Sequence, residues 1–246
     1  IFNMDESKLT DQARQFAEEV QDLLARTVCP SVELDLQEAP TARGLSVVIR
    51  ITKRESNGCR SCYLTVENIP LLELEISYRI FLERKLRYLR VEESHFQIQT
   101  TKGRPLFRYD YVSHPESPAI PVAHIQIHAH RDELLHAMYV SNKSRSKRSK
   151  KKDLDPASPR GLHMIHFPLG GARFRPCLED VIELVIHEFG VDAQPGWEEC
   201  VASGRIAWRH IQLAAAVRDD PDTARRTLEA LDKESNATNE KQLSRF

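Results

Sequence analysis

Cysteine is sparse in this 246-residue chain: five residues, at Cys29, Cys59, Cys62, Cys177 and Cys200. A disulfide scaffold uses more of them and in even number, so a reducing, cytoplasmic setting is expected. The sequons at Asn142 and Asn236 then carry no meaning as glycosylation sites. No apolar run reaches the ~18 residues that cross a bilayer, which predicts no membrane role. No charged-then-apolar leader follows Met4, taken as the native start. A zinc-protease signature is absent too, because His187-Glu188 is followed by Val191 where a second histidine would stand. No internal repeat is visible.

What remains has ordinary globular composition, 41% hydrophobic and 29% charged. Its charge is uneven. Net charge is −1, but Lys143 to Lys152 reads KSRSKRSKKK, with seven basic residues and no acid, so the rest of the chain carries −8. An acidic body with one basic tract is expected. The low apolar content of 141–160 predicts a mobile loop there.

The apolar period changes along the chain. Leu9, Ala13, Phe16, Ala17, Val20, Leu23 and Leu24 recur at three and four residues, which predicts a helix over 5–28 ended by Pro30. From about 31 to 131 the period is two, as in Leu45, Val47, Ile49, Ile51 and in Leu74, Ile76, Tyr78, Ile80. Turn signals at Asn57-Gly58 and Lys102-Gly103 separate these runs, so five to seven antiparallel strands are expected. Helical period returns at Leu178, Val181, Ile182, Val185, Ile186 and Phe189, after Pro176 and before Gly190. Two more helices are predicted over 197–217 and 221–232. The expected fold class is α+β: an antiparallel sheet with a packed N-terminal helix and a helical C-terminal part. The predicted organisation is a domain over 5–190, a helical extension over 191–232 and a disordered tail over 233–246.

PVAHIQIHAHRDEL, from Pro121, is the least ordinary stretch. In a strand alternate residues share a face, so Ile125, Ile127 and Ala129 point one way and His124, Gln126, His128 and His130 the other. Such a ladder suits three chemistries. Imidazoles bind transition metals, exchange protons as general base and acid, or, when protonated, bind phosphate beside Arg108 or Arg131. The plain alternative is the solvated face of an edge strand. Asp110 is placed to hold a histidine in one tautomer, and Arg108 to take a phosphate bidentately. The plain reading of Arg108-Tyr109-Asp110 is a strand-end ion pair with a packed tyrosine. GLHMIHFPLGGARFRP has glycines and arginines ahead of a helix but not the spacing of a phosphate loop, and reads first as a structural turn. Cys59 and Cys62 are half a zinc site with no second pair to complete it. Lys147, Arg148 and Lys150, within the basic tract, suit sequence-blind attraction to phosphate backbones.

The segment LFRYDYVSHPESPAIPVAHIQIHAH, with Tyr78-Arg79-Ile80 before it and Leu178-Glu179-Asp180-Val181 after it, resembles the TumE-type toxin family of bacterial toxin–antitoxin systems. That family carries an Arg-Tyr-Asp-Asn…His-x-His signature. The resemblance covers roughly residues 72–190 and nominates Arg108, Tyr109, Asp110, His128 and His130. The sequence departs from it at Tyr111, where the family has asparagine, in a longer loop, and in the helices added at both ends. It implies toxin-like action on nucleic acid, and an antitoxin protein as partner.

The expected function is therefore a toxin-like protein of a toxin–antitoxin or defence locus, acting on RNA as a ribonuclease. His124 or His128 would take a proton and another ladder histidine, such as His130, would return it. Asp110 would orient, and Arg108, Tyr109, Arg131 and the basic tract would hold the substrate. No cofactor is expected in this scheme. The alternatives are a non-enzymatic nucleic-acid- or protein-binding module, and a hydrolase with a transition metal on His124, His128 and His130.

Overall fold

The computed structural model describes residues 2–41, 44–51, 62–83, 88–128, 167–169, 173 and 175–243. The order of elements is α1 (Phe2–Thr27), β1 (Leu34–Thr41), β2 (Gly44–Ile51), β3 (Cys62–Val66), β4 (Ile69–Glu83), β5 (Tyr88–Thr100), β6 (Pro105–Val112), β7 (Ala123–Ile127), β8 (Phe167–Pro168), α2 (Leu178–Phe189), α3 (Trp197–Asp219) and α4 (Pro221–Leu243). The chain is α+β, as its changes of period predict. The eight strands form one sheet in the order β1-β2-β4-β5-β6-β7-β8, and β3 pairs with β4. Every pairing is antiparallel.

Two tight turns set the register that matters most. Glu67 and Asn68 both have positive φ, 52° and 63°, the conformation of a two-residue turn whose twist matches that of its strands. The Asp192 carboxylate accepts from both of their backbone N–H groups, at 2.9 and 2.7 Å, and from the Thr65 hydroxyl. Between β5 and β6, Gly103 takes φ 71° and the Gly103 N–H donates to Thr100 O at 2.8 Å. A side chain there would be strained, which explains the glycine of the Lys102-Gly103 signal.

Period two then divides the sheet into two faces. On one, Val47, Ile49, Leu74, Ile76, Ile80, Phe96 and Ile98 are buried, with cross-strand pairs such as Ile76↔Phe96 and Leu74↔Ile98. The stripe of α1 packs on this face through Leu9, Ala13, Ala17, Val20 and Leu24, and Phe16 meets Tyr78 edge-on at 5.1 Å. Val181, Ile182 and Val185 of α2 complete the same cluster. Each fully buried aliphatic side chain here contributes about 1.5–3 kcal/mol. The predicted α2 boundaries hold at Gly190, whose φ of 66° closes the helix. At its start the Cys177 N–H donates to the Asp180 carboxylate at 3.0 Å, and Pro176 lies just ahead of the helix rather than within it.

Two compact units divide at Arg205/Ile206, not at the expected 190/191. The physical reason is burial: Val191 and Val201 belong to the main core, and Arg205 donates to Asp180 and Glu183. The second unit, from Ile206, holds the rest of α3 and α4. The Asp220 carboxylate caps α4 by accepting from Thr223 N–H at 3.0 Å. The α4 backbone stays helical to Leu243, past the predicted end at 232, because no proline or glycine interrupts 222–243. The turn predicted at Asn57-Gly58 and the loop predicted at 141–160 lie outside the described residues.

Candidate functional site

The other face of the sheet is polar, and its register brings together side chains far apart in sequence. Ser77, His95, Asp110 and His124 lie in one row across β4, β5, β6 and β7. Glu75, Gln97, Arg108 and Gln126 form the adjacent row.

Asp110 is the hub. Its side chain is only 2% exposed. One carboxylate oxygen lies 2.6 Å from His95 Nδ1. The other accepts from Arg108 Nε at 2.8 Å and lies 3.4 Å from His124 Nε2. Burial pushes the Asp110 carboxyl up, but the His95 hydrogen bond and the Arg108 guanidinium outweigh it and hold the group below the usual carboxylate range. An ionised Asp110 can only accept, so Nδ1 is the donor of this contact and Nε2 is the ring nitrogen left for another partner. His95 is 33% exposed, so solvent reaches that side chain. The Arg108 guanidinium also donates to Gln126 Oε1 at 2.6 Å, which fixes its plane. Beside the dyad, Arg79 Nε donates to Glu93 at 3.1 Å, and that carboxylate lies 3.9 Å from His95 Nε2.

This arrangement corrects the ladder expected along one strand. His124, first of its members, is 4% exposed, with Nδ1 against Pro121 O at 2.9 Å. It is a buried neighbour of Asp110 and does not face solvent as a base must. The reason is position: it pairs with Asp110 on a strand flanked by β6 and β8, and not on an open edge. Tyr109 is also displaced from the site. It alternates with Arg108 and Asp110, so it turns to the apolar face, opposite Phe96 and against the ring of Phe107. His128 follows β7, where its backbone N–H donates to Leu106 O at 2.7 Å. Cys62 is buried in the core at the start of β3. His130, Arg131, Lys147, Arg148, Lys150 and Cys59 lie outside the described residues.

Asp110 and Arg108 lie together on the polar face, and Asp110 is hydrogen-bonded to a histidine. The histidine is His95, which sequence reasoning did not set beside Asp110 because it is isolated on its own strand. Its signal was weak but present: Glu93, His95 and Gln97 alternate with Ser94 and Phe96. Among the described residues no three histidine, cysteine or carboxylate side chains converge as metal donors. No helix of the described residues is long and apolar enough to cross a membrane.

The fold and the site together define an α+β protein with a helix-covered apolar sheet face and a histidine–aspartate dyad on the opposite face. Comparison with protein-family models, curated proteins and solved structures returned no match.

Proposed function

We propose that the chain acts on RNA, with His95 as the general base of phosphodiester cleavage. The observation that carries this reading is the 2.6 Å contact between His95 Nδ1 and Asp110, on a histidine open to solvent. In this scheme Nε2 takes a proton from a ribose 2′-hydroxyl, the 2′-oxygen attacks the phosphorus to form a 2′,3′-cyclic phosphate, the P–O5′ bond breaks and solvent water protonates the leaving 5′-oxygen, while Asp110 stabilises the imidazolium and Arg108 offers its remaining N–H groups to the phosphate. The tract Lys143–Lys152 supplies salt-sensitive attraction to the backbone. A toxin-like role in a cytoplasmic toxin–antitoxin or defence system, with an antitoxin protein as partner, extends the same proposal.

A second reading, a non-enzymatic binding module, draws on a specific observation. Arg79 and Arg108 are each tied to a carboxylate, which suits a hydrogen-bonding face better than a strongly cationic one. One experiment separates the two. Labelled single-stranded RNA is incubated with the full chain in the presence of EDTA, and both binding and cleavage are read. Cleavage that falls about 100-fold or more in His95→Ala, with the protein still folded, supports the dyad. Binding without cleavage supports the module. If RNA is neither bound nor cut, both readings fail.

A further inference from the structure

The second compact unit, from Ile206, has no core of its own. Among its described side chains, from Ile206 to Asp232, none is buried. Yet it is helical in the last part of α3 and in α4, with a break at Asp220. Helices in water draw most of their stability from a packed apolar face. This unit has such a face and leaves it open. Ile206, Leu213 and Val217 of α3 recur at seven and four residues, and Ala224, Leu228 and Leu231 of α4 at four and three, the spacing that lines one side of a helix. The five large side chains among them are each 46–63% exposed. One exposed leucine is ordinary, but two stripes at helical spacing mark an interaction surface.

Charge is divided along the same unit. Residues 206–218 hold two arginines, Arg209 and Arg218, and no acid, a net charge of +2. Residues 219–243 hold seven acids and four bases, a net charge of −3. We propose that this unit is a dimerisation surface whose partner is a second copy of the chain, with α3 of each protomer lying antiparallel on α4 of the other about a two-fold axis near Asp220. The inference is independent of the reading given to His95, which lies in the first unit.

Three features choose this occupant. Both stripes belong to one chain, so a two-fold pairing buries all four stripes of two copies at once. Charge complementarity sets the direction: antiparallel pairing lays the basic half of each copy on the acidic half of the other, whereas parallel pairing sets like charges side by side. The same acidic half would repel the phosphates of a nucleic acid. Size also fits, since α4 has 23 residues and the two helices of the unit supply the roughly 20–30 residues a side of a stable interface.

The test is the mass of the full chain in solution, read by sedimentation velocity over about 1–100 µM, the range of a micromolar dimer. The expected result is a dimer at the upper end that dissociates on dilution. Leu213→Asp/Leu228→Asp should be monomeric throughout, with the Tm of the first unit unchanged, because both side chains stand outside the core. Ile211→Asp is the control: Ile211 is as exposed but lies off the α3 stripe, so the variant should still dimerise. Arg209→Glu should raise the Kd roughly 3- to 10-fold at low salt and less at high salt, as screening removes the charge term. Wild type that stays monomeric to about 100 µM overturns the proposal whatever the variants do. So does a dimer that Leu213→Asp/Leu228→Asp leaves intact, or one that Ile211→Asp abolishes equally. A dimer that Arg209→Glu tightens overturns the antiparallel order.

Discussion

On β5, Phe96 and Ile98 enter the core beneath the helices, while His95 and Gln97, their immediate neighbours, stand on the opposite face. The same alternation repeats on β6, where Phe107 and Tyr109 face the core cluster and Arg108 and Asp110 do not. One strand thus serves two environments that follow different rules. On the apolar face the interactions are non-directional and scale with area, so many substitutions of similar volume would be tolerated. On the polar face each buried group needs a partner of matching chemistry, and removing one partner strands the others. Asp110 shows this best, since three side chains converge on its two oxygens.

The sharpest way to break the comparison is to cut both faces at adjacent positions. Ile98, fully buried, should cost about 3 kcal/mol when replaced by alanine, because transfer and cavity terms add. Gln97→Ala, one residue away, should cost less than about 1 kcal/mol, since its hydrogen bonds to Glu75 and Gln99 are only partly buried. Urea denaturation of the two variants checks this, and equal losses would erase the distinction between the faces.

Asp110→Asn comes next, with an expected loss of about 2 kcal/mol as charge-assisted hydrogen bonds to His95 and Arg108 are weakened. Its pH dependence sharpens the claim. The folded Asp110 carboxyl is held below its unfolded value, so its stabilisation is complete above about pH 4 and is lost as pH falls through the lower folded value. Wild type should therefore exceed Asp110→Asn at neutral pH, and the gap should close on acidification. A gap that stays constant down to pH 2 would mean that the ionised carboxylate is not what holds the row together.

Arg79→Ala should have the smallest effect, at most about 1 kcal/mol, because both partners of the Arg79–Glu93 pair are about one-third exposed and screened by solvent. Its denaturation midpoint should also move little further in high salt. A loss as large as that of Asp110→Asn would show that burial does not separate these two pairs.

The sequence by itself determined the elements, their alternation and the assignment of faces. Period two in β4 and β5, period near four in α1 and α2, and Gly103 and Gly190 at their turns were all local signals, because backbone geometry is set over a few residues. It also marked Asp110 and Arg108 as unusual. Only the tertiary structure decided which histidine Asp110 orients. His124 and His95 are equally polar in sequence, and both flank Asp110 across the sheet. Burial separates them: His124 is sealed against Pro121 and His95 is open. Strand pairing and burial are properties of the assembled sheet, so they are absent from any short stretch of chain that it joins.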